Sequence, residues 1–248
     1  MASDALCSKC TPAAIPALLD AAHDPARSVR TEVLRALVKC AANAGAYHEV
    51  FPVFLEALND EYDQVAISAS EGLAQSGDAR AVPGLVRAAL TSEQEQVRTY
   101  SRNALRSFGT ASAAALREAA SSPDSRVRAR AINTLGERRE EGDLPWLIAA
   151  TRDPDPEVRR DAVYSLGDSY AKPAVPALIE RLRDEDEKVV RYAVISLGRI
   201  GDPSAVTALI ECLNNDDELA DAAASALEGI GNREARAAVK AWNRQKVK

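Results

Sequence analysis

Aromatic residues are scarce in this chain, 4% of 248, and it has only two histidines and one methionine. Sheet proteins draw on aromatic and β-branched residues for their faces. The scarcity, beside plentiful Ala, Leu and Val, points instead to closely packed helices. No apolar run approaches the roughly 18 residues that a membrane helix needs. The opening MASDALCSKC lacks the apolar core of a signal peptide, so the expectation is a soluble chain with the cytoplasm as its default location. A basic excess is missing too, the formal net charge being −6. Proteins that grip phosphate backbones carry the opposite balance, which argues against nucleic acid as the partner.

Motifs for chemistry are also absent. No P-loop, GxGxxG or nucleophile elbow occurs. A Ser-His-Asp triad would have to use His23 or His48, both in the first quarter and without a supporting motif. Cys7 and Cys10 form a CxxC, but zinc needs two further ligands, and only His23, His48 and Cys40 lie near in sequence. Cys40 and Cys212 fall within helical patterns and read as small buried hydrophobes. The expectation is no catalytic residue, no metal and no cofactor.

What the chain does have is a repeat. Val29, Val65, Val97, Val127, Val158, Val189 and Leu219 are spaced by 36, 32, 30, 31, 31 and 30 residues. Four residues after these anchors stand Val33, Ala69, Ser101, Ala131, Ala162, Ala193 and Ala223. Eight residues after them stand Leu37, Leu73, Leu105, Leu135, Leu166, Leu197 and Leu227. Offsets of zero, four and eight share one helical face, so each unit contains a helix with a buried stripe. Upstream recurs a proline, Pro16, Pro52, Pro83, Pro145 or Pro176, followed two residues later by Leu18, Phe54, Leu85, Leu147 or Leu178. Proline suits a first helical turn, where its missing N–H costs nothing, and marks another helix before the first. Asp124, Asp155, Asp186 and Asp216 stand where an N-cap belongs. Gly77, Gly109, Gly201 and Gly231 stand where a left-handed residue closes a helix, and Asp78, Asp202 and Asn232 follow as caps for the next one.

Each unit is thus a hairpin of two short helices, which cannot bury its apolar face alone but does so when stacked. The predicted fold is all-α, a right-handed superhelical solenoid of about seven hairpins forming a single domain, residues 1–248. Repeats are placed at about 12–45, 46–78, 79–109, 110–140, 141–171, 172–202 and 203–232, with a cap at 233–248. The longer first spacing predicts a lengthened loop at Asn43–Glu49. Trp146 is read as filling space between helices, with an exposed anchor on the convex side as the other reading.

The segments DPDPEVRRDAVYSLGD and AVPALIERLRDEDEKVVRYAVISLGRIGD resemble the short HEAT-like repeats named after phycobilisome lyases, and the resemblance runs from about residue 12 to 232. It implies fold more than function, since the same repeat serves bilin-lyase subunits, an iron hydroxylase, DNA-repair glycosylases, toxin-immunity proteins and scaffolds. It also implies an ion ladder between repeats. Arg30, Arg98, Arg128 and Arg159 follow their anchors, and Asp24, Asp60, Asp153 and Asp184, five before an anchor, are the partners. The ladder lapses at Ala66, Val190 and Ala220. The hydroxylase holds metal through repeated His-Glu pairs, and this chain has one, His48-Glu49, which argues against an iron site.

In related repeats the second-helix positions two, three, six and ten after the anchor, and the two residues before it, form a concave face. Here they are Tyr100, Asn103, Arg126, Arg130, Asn133, Arg160, Tyr164, Lys188, Arg191, Tyr192 and Arg199. Tyr and Arg are the residues enriched in binding hot spots. Glu95, Glu137, Glu157, Asp161, Asp168 and Glu187 share the face, so mutual pairing of a solvated surface is the competing reading. Asp216, Asp217, Glu218 and Asp221 make an acidic end, read as caps and solubilising charge. The resulting expectation is a monomeric, non-enzymatic protein-binding scaffold, adaptor or inhibitor, with no membrane contact, a toxin-immunity role being one version. The alternatives are a bilin-lyase-like subunit that binds a tetrapyrrole and an acceptor protein, and a glycosylase-like duplex binder.

Overall fold

A computed structural model describes residues 12–169, 171–215 and 217–246, and every regular element among them is helical. Cys7, Cys10 and Asp216 lie outside the described residues. The chain divides into two compact units, one through Leu116 and one from Arg117. In the first, α1 (Ile15–Ala21) pairs with α2 (Arg27–Ala44), α3 (Tyr47–Ala57) with α4 (Asp63–Ser76), and α5 (Val82–Thr91) with α6 (Glu95–Leu105). The second helices α2, α4 and α6 stack side by side. Helix α7 (Gly109–Ala119) carries the division between the units.

The second unit begins its stack with α8 (Ser125–Arg138). There α9 (Leu144–Ala150) pairs with α10 (Pro156–Asp168), α11 (Val175–Arg181) with α12 (Glu187–Ile200), and α13 (Val206–Cys212) with α14 (Asp217–Ile230). Helices α8, α10, α12 and α14 form a continuous stack, and α15 (Arg233–Lys246) packs against α14.

The stripes expected from the sequence are the cores of these stacks. All seven leucines of the third row, Leu37 to Leu227, are buried, as are Phe54, Leu85, Leu147 and Leu178 on the first helices. Phe54 is larger than its equivalents, and Gly72 makes room: a Cβ there would meet the Phe54 ring at 2.7 Å. Val29 departs from the row at 38% exposure. The caps form as expected. Asp124, Asp155 and Asp186 accept the backbone N–H two residues on, at 2.9 Å each, and Asn232 accepts from Ala235 N at 2.8 Å.

Four expectations are corrected. The extra residues near 43–49 are not a loop. Helix α2 runs through Asn43 to Ala44, Gly45 closes it in the left-handed region at φ 65°, and Tyr47 to Glu49 open α3. The run of alanines propagates helix more readily than it forms a loop. Pro52 consequently lies inside α3 rather than at its start, whereas Pro16, Pro83, Pro145 and Pro176 sit in the first helical turn. Gly109 has a positive φ of 47° but opens α7 after a short 3-10 turn instead of closing an α-helix. Trp146 does not fill space between helices; it stands 40% exposed on α9.

Stacking in the second unit depends on small residues facing one another. A Cβ on Gly136 would lie 2.3 Å from Ser165 Cβ, one on Gly167 2.4 Å from Ser196 Cβ, and one on Gly198 2.7 Å from Ala226 Cβ. Glycine, nine after an anchor, therefore meets Ser or Ala, seven after the next anchor. Ser196 Oγ also donates to Val163 O at 2.9 Å, satisfying a hydroxyl that would be costly to bury alone.

The ladder implied by the resemblance forms at three of its four arginines, and the expectation is corrected at Arg98 and Asp24, which have no rung. Arg30, Arg128 and Arg159 each donate two parallel bonds, of 2.7–2.9 Å, to Asp60, Asp153 and Asp184 of the following repeat. Each also donates Nη1 to two carbonyls of its own hairpin turn. The aspartates meanwhile accept the N–H two residues on, Tyr62, Asp155 or Asp186. Arg98 makes the turn bonds, to Ser92 O and Glu93 O, and the position five before Val127 is Ser122 rather than Asp. Asp24 caps its own turn through Ala26 N at 2.7 Å. Burial alone would raise the Asp184 carboxyl, but hydrogen bonds from Arg159 and the Asp186 N–H, with the Arg159 and Arg181 charges, hold it below the usual carboxylate range.

One ionic node has no counterpart in the other repeats. Asp143 is fully buried at the position that Ala81 and Ala174 occupy before Pro83 and Pro176. Arg117 donates to one of its oxygens, at 3.0 and 2.6 Å, and Arg138 to the other at 3.0 Å.

Two predictions follow from this packing. Gly167→Ala forces a methyl into Ser196 and its backbone, and urea unfolding will show a loss of about 1–3 kcal/mol. Gly229→Ala, whose Cβ meets nothing nearer than 3.6 Å, will instead be neutral or gain up to about 1 kcal/mol from helix propensity. Asp184→Ala removes the bidentate partner of the buried Arg159 guanidinium, leaving it Glu185 at 3.4 Å and the turn carbonyls, and will cost about 3 kcal/mol at neutral pH. Because the Asp184 carboxyl is depressed in the folded state, its contribution is complete above the unfolded value of about 3.9 and lost as pH falls through the folded one. Unfolding curves of wild type and variant will therefore converge on acidification.

Candidate functional site

Helices α8, α10 and α12 turn the residues at offsets two, three, six and ten away from their buried stripes. The small-residue contacts set how these helices are staggered, and the stagger brings side chains from different repeats together. Tyr164, six after its anchor on α10, meets Tyr192, three after its anchor on α12. Their ring centroids are 5.8 Å apart at 88°, the edge-to-face geometry that aromatic quadrupoles favour. Arg199, two turns further along α12, lays its guanidinium 5.3 Å from the Tyr164 ring centre. Its Nη1 also lies 3.8 Å from Asp168 Oδ1 at the end of α10. Tyr164 remains 39% exposed.

Asp168 receives a second arginine, Arg139, whose Nη2 donates to its other carboxylate oxygen. Arg139 follows the last residue of α8 and holds φ 54°, ψ 33°. It was not among the residues expected from the sequence. It stands twelve after its anchor, where Gly77, Gly201 and Gly231 close their helices. The left-handed conformation costs an ordinary side chain about 1–2 kcal/mol. A non-glycine at a position of recurring glycine was the available signal.

Other expected residues are spent locally. Arg160 donates to Asp161 at 3.1 and 3.2 Å and to Glu157 at 3.2 Å, all on α10. Burial raises the Asp161 carboxyl despite the opposing pull of Arg160. Arg191 pairs with Glu218 of α14, and Lys246 of α15 with Asp221 at 2.6 Å, so the acidic end is partly neutralised from within. Lys188 and Arg191 line a shallow groove of about 370 Å³ with Glu187, Val190, Asn215 and Glu218. Arg126 is exposed, 3.7 Å from Asp124, while Arg130 and Asn133 are half-buried. In the other unit, Tyr100 is 41% exposed on α6, with Asn103 exposed one turn on. The competing reading of mutual charge pairing therefore describes Arg160, Arg191 and the approach of Arg199 to Asp168, but not the contact of the Tyr164 and Tyr192 rings.

No helix among the described residues is long and apolar enough to cross a membrane. No curated protein matches the chain. Among solved structures, a chain of the structure in which Kap95p binds RanGDP is 16% identical with a TM-score of 0.65, over 94% of this chain and 38% of that one. This likeness concerns the fold. Human deoxyhypusine hydroxylase is 21% identical with a TM-score of 0.43, over 88% of this chain and 85% of its own. The CpcE–CpcF phycocyanin lyase complex from Nostoc is 20% identical with a TM-score of 0.40, over 92% of both chains. The family model described as HEAT repeats matches residues 90–167 and 144–228, together more than half of the chain. The chain belongs to the HEAT-repeat family.

Proposed function

We propose that this protein is a non-catalytic scaffold or adaptor that binds another protein through the solvent-facing side of its second helices, the face the sequence predicts to be concave. The observation that carries the reading is the Tyr164–Tyr192 pair. A large aromatic surface is left open on regular, rigid helices and is pre-ordered by ring contact and by Arg199. Rigid aromatic area of this kind binds at low entropic cost, and Tyr and Arg dominate measured hot spots. A solvated face with no binding task has no need to hold two tyrosines edge to face.

Arg126, Arg130, Asn133, Arg160, Lys188 and Arg191 stand on the same second helices, and Glu157, Asp161 and Glu187 among them make the charge of the face mixed, which suits a protein partner better than a continuous polyanion. Tyr100 and Asn103 of the first unit offer a further contact of the same type. HEAT-repeat proteins commonly serve as interaction scaffolds, and this fold requires no reaction chemistry of its own.

Affinity capture from the native host, with the intact chain as bait, tests the reading. Wild type is expected to retain a specific protein. Tyr164→Ala with Tyr192→Ala is expected to weaken that complex by about 2 kcal/mol or more, roughly 30-fold, at unchanged helicity. Equal retention by the double variant places the contact elsewhere and overturns the assignment of this face.

A further inference from the structure

The Arg139 backbone is the starting point. Glycine closes the equivalent helices at Gly77, Gly201 and Gly231, so the repeat itself shows which residue the left-handed position prefers. A residue kept in an unfavourable backbone region is a reason to look for a function there. What the side chain brings is a guanidinium beside Asp168, and that ion pair is exposed, 60% at the arginine and 41% at the aspartate. Exposed pairs stabilise little, so the pair does not account for the strain.

Arg199 approaches the same carboxylate from the other side. Two guanidinium groups thus share one aspartate, and these three groups sum to one positive charge, with Arg199 over the Tyr164 ring. A single carboxylate from outside balances that charge. A doubly charged phosphate would exceed it and would lie against Asp168.

We infer that Arg139, Arg199 and Tyr164 form a subsite for an acidic side chain, an Asp or Glu of the partner, flanked in its sequence by apolar residues that cover Tyr164 and Tyr192. The inference rests on the face proposed above and specifies the chemistry of the partner. Arginine recognises carboxylate through directional, paired donors, and the apolar flanks supply the buried area that an isolated charge contact lacks.

The test uses the whole chain and two dye-labelled peptides, one alternating Glu and Leu and one alternating Lys and Leu, read by fluorescence anisotropy at low salt. The Glu/Leu peptide is expected to bind at least about tenfold tighter than the Lys/Leu peptide. Arg139→Gly is expected to weaken its binding about tenfold while the melting temperature stays level or rises, since glycine relieves the backbone. That combination separates recognition from a merely structural role. Asp168→Asn, which removes the competing carboxylate, is expected to tighten binding several-fold. Equal binding of both peptides, no binding of the Glu/Leu peptide up to about 1 mM, or unchanged affinity in Arg139→Gly overturns the inference. If Tyr164→Ala with Tyr192→Ala abolishes binding while Arg139→Gly does not, the acidic subsite fails and the aromatic face stands. If neither change matters, both fall.

Discussion

The close approach of the second helices in the unit from Arg117 sets the geometry on which its other features depend. Gly136, Gly167 and Gly198 face Ser165, Ser196 and Ala226 at distances that leave no space for a methyl group. Side chains of this size let helix backbones come nearer than leucine–leucine packing allows, and they fix the stagger between helices as well as their separation. Because the same offsets repeat, the stagger repeats. One consequence is that the alanines and leucines of successive stripes form a continuous core. Another is that a residue six after the anchor on one helix comes beside a residue three after the anchor on the next, as Tyr164 and Tyr192 show.

The ion ladder works at the hairpin turns. Its arginines bind the two carbonyls of their own turn and the carboxylate of the next repeat together, so they tie the turn geometry to the stacking. A buried guanidinium is tolerated only when its donors are used, and Arg159, 5% exposed, has turn carbonyls and Asp184 to use them. The sequence follows this coupling at two rungs and breaks it at Arg98, whose following position is Ser122. Where the arginine is replaced by Ala66 or Val190, the following aspartate is replaced too, by Ser92 or Asn214. Asp143 obeys the same rule in reverse, a buried carboxylate satisfied by two arginines from its own unit.

The candidate site differs in kind from these structural pairs. Ladder groups are shielded, and Asp184 takes both Arg159 and Arg181. At Asp168 the groups are exposed and unmatched, two arginines to one carboxylate, with aromatic surface alongside. The difference lies in the exposure and in the aromatic surface, since buried Asp143 also takes two arginines. The second-helix face is therefore organised in two layers, a set of local charge pairs around Arg160 and Arg191 and an aromatic-cationic centre that remains open.

Much of this protein was legible in its sequence. The thirty-residue recurrence of Val, Ala and Leu fixed the helices and their buried faces, because helical periodicity is local and each buried stripe needs a neighbour. Caps such as Asp155 and Asp186, and closures such as Gly201, were readable for the same local reason. The extra residues before Tyr47 were misread as a loop because length variation shows in a sequence while its conformation depends on whether helix can propagate through it. Trp146 was misplaced because a pattern of offsets gives a helical face but not what lies beyond it. The tertiary structure alone decided which tyrosines touch, that Arg199 lies over Tyr164, and that Arg139 converges on Asp168. Those partners lie about thirty residues apart on different helices, and their meeting depends on an inter-helix stagger that no single helix encodes.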